Sequence, residues 1–331
     1  MPKSVAIIGA GVSGLTSGVV FAEVGYRAAI FAEETGQRTT SGAAAALWYP
    51  YDAEPADKVI AWALQTYEMV SALSRQADTG VSMIELRTYS RAVEIQIPEW
   101  AGDLGAARLP VISESPGSEE TSPASEPSDL RFSFASGFTL KVPLTDTTIY
   151  LDYLADRFRA AGGEIRPPCR LAKVEDISSD FDLVVNCAGI GARELVDDRD
   201  LEAHRGQVVI VPKLDMSYAV VCDDPPLMYA IPRANDCVFG GTNHVSDSLA
   251  PDRADSFRIL RECSRTLSIA QPRIIGERVG LRPFRKSGVR LAADRLRDGR
   301  AVIHNYGHGG SGFTLSWGCA AQVLELARKT R

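Results

Sequence analysis

"SVAIIGAGVSGLTSGVVFAEVGYRAAIFAEE", residues 4–34, decides the fold. The apolar run SVAII leads into Gly9-Ala10-Gly11-Val12-Ser13-Gly14, and a helix is predicted over about 13–24, stopped at Gly25. A second apolar strand, RAAIFAEE, occupies 27–34. Strand, glycine turn, helix and strand in that order make one βαβ unit. The first glycine permits the tight turn. The second lets a pyrophosphate approach the backbone, and the third lets helix pack on strand. The helix start then offers spare N–H groups and a positive dipole end to phosphates. Glu33, 19 residues past Gly14, ends the second strand together with Glu34. A carboxylate there accepts hydrogen bonds from ribose hydroxyls. The unit reads as a dinucleotide site for an unphosphorylated ribose. A ligand-free βα turn carries the same glycines, and NAD and FAD present the same adenosine half.

Outward from this unit, helical periodicity recurs at 57–77 and at 148–161, the latter ending at Gly162-Gly163. Between them SESPGSEETSPASEPSD, residues 113–129, is rich in Ser, Glu and Pro and reads as a flexible surface loop. Apolar or alternating runs at 182–189, 206–212, 228–231 and 237–242 read as strands, the last three antiparallel. A helix is predicted over 253–269, a last strand at 300–304 and a last helix at 313–329. The fold class is α/β. It combines a discontinuous Rossmann-type nucleotide domain (1–50, 145–200 and 276–331) with an inserted antiparallel-sheet, α+β substrate domain (51–144 and 201–275).

Composition excludes other classes. The 331 residues suffice for a large core, with 45% hydrophobic and 24% charged residues. With 36 basic and 42 acidic residues the net charge is −6, and no basic stripe invites nucleic acid or anionic membrane. No apolar run approaches the length of a spanning helix. The basic-then-apolar start could pass for a signal peptide, but its glycine spacing is better explained as a first strand and turn. Six scattered cysteines form no C-x-x-C pair, which argues against structural zinc and for a reducing, cytoplasmic setting. The chain ends KTR, without a peroxisomal tripeptide. The oligomeric state is open, a homodimer included.

Two further stretches select FAD. TTSGAAAALWYP, residues 39–50, offers small side chains against which a flat ring can lie. VIHNYGHGGSGFTLSWG, residues 302–318, carries a strand through Gly307, Gly309, Gly310 and Gly312 into a helix expected near Thr314. Donors at that helix start suit the negative charge of a reduced flavin. His304 and His308 lie in a segment too glycine-rich for a helical metal site and have no third ligand nearby. They are read as structural, their ring nitrogens satisfying buried backbone groups.

With these residues in view the chain resembles the D-amino-acid oxidase family over nearly its whole length. The most specific stretch is VIHNYGHGGSGFTLSWGCA (302–320). GAGVSGL (9–15), AAALWYPY (44–51), VVNCAG (184–189), RGQVV (205–209) and GLRPFRKSGVRL (280–291) support it in the same order. The resemblance implies non-covalent FAD. It also implies hydride transfer from the Cα of a D-amino acid to flavin N5, giving a 2-oxo acid, ammonia and, with molecular oxygen, hydrogen peroxide. It implies that Arg282 clamps the substrate carboxylate with Tyr229, that the Gly310 carbonyl accepts from the amine, and that Tyr49 stands with the substrate residues. On the cofactor side it implies Thr40 and Ser41 at the phosphates and Ala45, Ala46 and Leu47 along the flavin. Leu171 would lie near the adenine, and Gly309, Gly310, Ser311, Gly312, Phe313 and Thr314 at the final helix start. A planar guanidinium suits a carboxylate bidentately. Arg285 and Arg290 are expected in structural salt bridges.

The sequence also departs from the family. Pro225 stands where vertebrate members carry a second lid tyrosine, and Ser311 where they carry a bulky aromatic. Asn243 stands where D-aspartate oxidases carry an arginine, which favours neutral, apolar D-amino acids unless Arg233 reaches the pocket. Alternatives are a D-aspartate, glycine or sarcosine oxidase, or a flavin dehydrogenase with a partner acceptor. A nucleotide-binding module without catalysis would have no need of Arg282 with Tyr229.

Overall fold

A computed structural model of the chain describes residues 3–51, 53–110 and 134–330. The loop expected at 113–129 lies outside the described residues. The opening βαβ unit forms as read, with strand Ser4–Ala10, helix Val12–Glu23 and strand Arg27–Thr35. Gly25, at φ +89°, turns the chain between helix and second strand in a conformation that only glycine adopts without strain.

These strands belong to a six-stranded sheet. Its order is Arg290–Arg295, Ala301–Tyr306, Leu183–Asn186, Ser4–Ala10, Arg27–Thr35, Glu164–Ile165. All neighbours are parallel except the edge pair of Arg290–Arg295 with Ala301–Tyr306. Parallel sheets are covered on both faces. Here Val5, Ile7, Ile30, Val185 and Ile303 pack with Phe21, Leu154 and Phe158 on one side. Ala6, Ile8, Val184 and Val302 meet Ile177, Phe181 and Leu195 on the other. Each fully buried side chain of this size contributes about 1.5–3 kcal/mol. The final helix, Gly312–Lys329, is held by Trp317, whose Nε1 donates to the Tyr150 hydroxyl at 2.8 Å. At Gly318 it runs so close to helix Ala56–Leu73 that a Cβ would sit 2.3 Å from the Trp62 carbonyl oxygen.

A second sheet has nine strands among the described residues. Along its path lie His244–Val245, Leu201–Pro212, Asp236–Gly240, Met228–Pro232, Tyr218–Cys222, Val81–Ser90, Ser136–Thr145 and Ala107–Arg108. Gly276–Arg285 adds to it by pairing with Leu201–Pro212. The expected antiparallel character holds except where Val81–Ser90 runs parallel to Tyr218–Cys222. One expectation needs correction. Strand Gly276–Arg285, grouped by sequence with the nucleotide segments, pairs over its whole length in the second sheet, and only from Arg290 onward does the chain return to the first. Arg282 is thus carried on the second sheet.

Candidate active site

One cavity of about 790 Å³ runs between the two sheets, within the usual range of ligand sites. Glu33, Glu34 and Leu171 line one end; Arg282 and Tyr229 line the other.

At the first end Gly9 has φ +105°, and a Cβ there would stand 2.4 Å from the Cys187 carbonyl oxygen. Helix Val12–Glu23 begins at Gly11 with no side-chain cap and no acidic residue in its first turn. Its N–H groups and positive end therefore face the cavity without a competing anion. Ser41 Oγ accepts the Val12 N–H at 2.9 Å, which ties the 40–43 turn to that helix start. Thr40 lines the cavity too, but its hydroxyl donates to the Leu281 carbonyl at 3.3 Å. The residue that caps the turn is Thr39, accepting from the Gly42 N–H. Farther along, Ala46 is buried in the left-handed region at φ +55°, its carbonyl fixed by the Thr145 N–H at 3.1 Å. Such a conformation costs a non-glycine residue on the order of 1–3 kcal/mol and gathers at functional sites.

The final helix closes the opposite wall. Gly307 and Gly309, at φ +84° and +51°, turn strand Ala301–Tyr306 into it. Thr314 Oγ1 donates to the Tyr49 carbonyl at 3.0 Å and accepts the Tyr49 N–H at 3.2 Å. Ser311 Oγ grips Tyr51 in the same way, accepting its N–H at 2.7 Å and donating to its carbonyl. Gly310 lies under the Tyr51 ring, where a Cβ would come within 2.7 Å of Cδ1.

At the substrate end Arg282 donates to the Thr242 carbonyl at 2.8 Å and reaches Asn243 Oδ1 at 3.5 Å. Its guanidinium lies on Gly206, close enough to the Tyr229 phenol for its charge to act on it. Burial raises the Tyr229 phenol, while Arg282 pulls it back. The Tyr229 ring rests on Gly240 and Gly241, where Cβ atoms would come within 1.9 and 2.7 Å of it. Tyr49 lines the same chamber and is pushed up to about 12, by burial first and by Asp223 second. Both phenols stay protonated at neutral pH. Among the described residues no salt bridge engages Arg282, whereas its neighbours are consumed. Arg285 pairs with Asp198 at 2.9 Å, and Arg290 with Asp294 at 2.8 Å and the Tyr306 hydroxyl at 2.8 Å. Arg233 is buried on Asp236 at 2.7 Å and does not line the cavity. One cation is thereby left at this end for an anionic ligand.

The histidines are structural, but their partners differ from expectation. His304 Nδ1 meets the Asn186 amide at 3.3 Å and Nε2 lies 3.4 Å from Asp294, while His308 Nε2 meets Asn305 Oδ1 at 3.1 Å. Side chains, not backbone groups, satisfy them. Burial lowers both to about 4, so both rings are neutral at pH 7. No group of three or more His, Cys, Asp or Glu among the described residues is placed to hold a metal ion.

Every other sequence-predicted site residue lines this cavity except two. Gly14 packs beneath it, where a Cβ would fall 1.9 Å from the Gly9 carbonyl oxygen, as the third glycine's packing role requires. Ser311 is fully buried behind the helix start, its hydroxyl consumed by Tyr51. Sequence reading overlooked Tyr51 and Asp223, and also Gly206 beneath Arg282. The Gly206 signal was present in RGQVV, but its role depends on a strand partner 76 residues on.

FAD fits these residues. The Gly9–Ser13 turn leaves no Cβ in the way of a pyrophosphate, the uncapped helix start supplies donors, and Glu33 lies at the far end for a ribose. The 44–47 stretch and the Gly309–Thr314 segment offer opposing small-residue walls for a flat ring.

Comparison with known proteins agrees. Residues 4–326 match the family model described as FAD dependent oxidoreductase. A D-amino-acid oxidase of Rubrobacter xylanophilus is 37% identical over 97% of this chain and 94% of that protein. The D-aspartate oxidase of Homo sapiens is 30% identical, again over 97% and 94%. The glycine oxidase of Geobacillus kaustophilus superposes with a TM-score of 0.78 at 18% identity, covering 99% of this chain and 95% of that one. The glycine cradle, the two-walled cavity and these matches together make the chain a member of the FAD-dependent oxidoreductase family to which the D-amino-acid oxidases belong.

Proposed function

We propose that this enzyme oxidises D-amino acids to imino acids, which water converts to 2-oxo acids and ammonia, with molecular oxygen taking the electrons as hydrogen peroxide. Bound FAD supplies the two-electron acceptor. The observation that carries the reading is the single cavity joining the glycine cradle to the Arg282–Tyr229 pair. Arg282, which enters no salt bridge among the described residues, binds the substrate carboxylate, and the Tyr229 hydroxyl steadies the same group. The Gly310 carbonyl is the acceptor we assign to the amine. Three fixed points then dictate which substituent at Cα faces the 44–47 wall, and hence the D configuration. Gly9, Ala10, Gly11, Val12, Ser13 and Ser41 are read as the phosphate cradle, Glu33 and Glu34 as the ribose end, and Leu171 as the adenine wall. The six-stranded sheet is read as the cofactor half and the nine-stranded sheet as the substrate half.

The chamber provides alignment rather than a tuned base. Its phenols are raised, and His308 is a weak base held on Asn305. Alignment alone is worth on the order of 7–11 kcal/mol in favourable cases. The six cysteines are free, which fits the cytoplasm as the compartment we assign. No helix among the described residues is long and apolar enough to cross a membrane. Peroxide release in air with D- but not L-amino acids tests the reading. A dehydrogenase serving another acceptor would consume the substrate without releasing peroxide.

A further inference from the structure

Strand Gly276–Arg285 carries more than the clamp. Side chains alternate along an extended chain, so Arg278, Gly280 and Arg282 share one face. That face meets the turn at 40–43. Arg278 Nη1 donates to the Gly42 carbonyl at 2.7 Å and to Gln37 Oε1 at 2.8 Å. At Gly280 the strand lies directly on the turn, where a Cβ would stand 3.1 Å from Ala43 Cβ and 3.4 Å from Thr40 Cγ2. The Thr40 hydroxyl then reaches the Leu281 carbonyl, and the next residue is Arg282. At about 3.3 Å per residue, Arg278 and Arg282 lie about 13 Å apart along the strand.

The turn and the strand differ in rigidity. The strand pairs with Leu201–Pro212 over its whole length. The turn is a helix of four residues, Thr40–Ala43, capped by Thr39. Its Gly42 carbonyl has a second donor, the Thr147 hydroxyl at 3.3 Å, and Gln37 donates to the Thr147 carbonyl at 2.7 Å. Arg278 itself is half-buried and stands outside the cavity. Among the described residues no salt bridge engages it, and its bonds go to neutral oxygens. Burial lowers its guanidinium and Arg233 lowers it further, against Asp236 and Asp146. A cation withdrawn from water without a paired carboxylate is costly, and a bond from it to a carbonyl is about twice as strong as a neutral one. We propose that Arg278 is a positioning residue: by holding the Gly42 carbonyl it sets the distance between the cofactor turn and Arg282, and so between the flavin and the substrate Cα. The inference rests on the oxidase reading for its chemistry.

The test is Arg278→Met, which keeps an apolar stem and deletes the donors. The apoprotein is expected to bind FAD about tenfold more weakly, followed by flavin fluorescence. At saturating FAD and D-alanine, without oxygen, the rate of flavin reduction per bound flavin should fall roughly 10- to 100-fold. Binding of hexanoate, a carboxylate without the α-amine, to the FAD-loaded variant should be unchanged, because Arg282 stays on its paired strand. Should Arg278→Met fail to fold, Arg278→Lys carries the test. It keeps a cation for Gly42 but gives up Gln37, and the same pattern is expected at about 2- to 5-fold. An unaltered reduction rate per bound flavin would overturn the proposal, since a purely structural residue changes only stability or cofactor content. Hexanoate binding that weakens in step with the rate would overturn it as well, by placing the effect in the clamp rather than in the spacing. Weakened FAD binding in the variant, with no D-amino acid reducing the flavin of the wild type, would uphold the hold of Arg278 on the turn and refute the oxidase reading.

Discussion

The guanidinium of Arg282 lies against the backbone of Gly206 so closely that a Cβ at 206 would stand 2.4 Å from Nη1. The two residues belong to paired strands, Leu201–Pro212 and Gly276–Arg285, with Arg282 opposite His204. Gly206 therefore sets the height of the clamp above the cavity floor. Gly206→Ala should push the guanidinium aside while leaving FAD bound. Misplacement of a binding group by about 1 Å costs roughly 100-fold, so kcat/KM for D-amino acids should fall by about that factor. Steady-state kinetics on the yellow variant check it, and activity within a few-fold of wild type would refute the packing argument.

Removing the clamp itself should cost more. Arg282→Ala deletes a charged partner of the substrate carboxylate, a loss of about 2–5 kcal/mol. That corresponds to roughly 30- to several-thousand-fold in kcat/KM. The visible flavin spectrum should be retained, because the Gly9–Ser13 cradle is at the other end of the cavity. Survival of near-normal turnover would show that the carboxylate is held elsewhere.

Asn243 stands at the rim, its amide donating to the Tyr51 hydroxyl at 3.2 Å and its Oδ1 3.5 Å from Arg282. Asn243→Arg would set a second guanidinium beside the first. The kcat/KM ratio of D-aspartate to D-alanine should rise about two- to fivefold, the scale of one solvent-screened charge pair. An unchanged ratio would count against this reading of the rim.

Ser41 links the 40–43 turn to the helix start through its bond from the Val12 N–H. A hydrogen bond of this kind is worth about 1 kcal/mol. Ser41→Ala should therefore weaken FAD binding by roughly 5- to 10-fold, measurable by flavin fluorescence on titrating the apoprotein. An unaltered affinity would place the phosphates away from this turn.

Stability should depend on pH through His304 and His308. Both are lowered by burial to about 4, against an ordinary value of 6.5. Between those values the unfolded chain takes up protons that the folded chain refuses. Stability is therefore complete above about pH 6.5 and falls as pH drops towards 4, at up to about 1.4 kcal/mol per pH unit for each ring. Below that point the two states bind alike and these rings cost nothing further. Asp198, lowered by Tyr306 and Arg285 against the effect of its burial, adds its own loss at still lower pH. Thermal melts of His308→Gln should show a shallower slope between pH 6.5 and 4 than the wild type. Parallel slopes would mean that this ring titrates freely.

How much was legible followed from how local each signal was. Gly9, Gly11, Gly14 and the helix after them are dictated by neighbours within a few residues, and they appear as read. Gly276–Arg285 was grouped with the wrong sheet because its choice of partner, Leu201–Pro212, is a tertiary event that strand periodicity does not encode. Ser311 looked like a cofactor contact by position, yet its hydroxyl is claimed by Tyr51, 260 residues away in sequence. The Asn186 and Asn305 partners of the histidines could not be read, because they come from another strand and from three residues earlier.

The central claim is tested most directly by mixing the purified yellow protein, without oxygen, with matched D- and L-amino acids while recording the visible flavin absorbance. The account predicts bleaching with the D-forms alone, followed on admitting air by return of the colour and release of peroxide. Bleaching by L-forms to the same extent, or by neither, would contradict it.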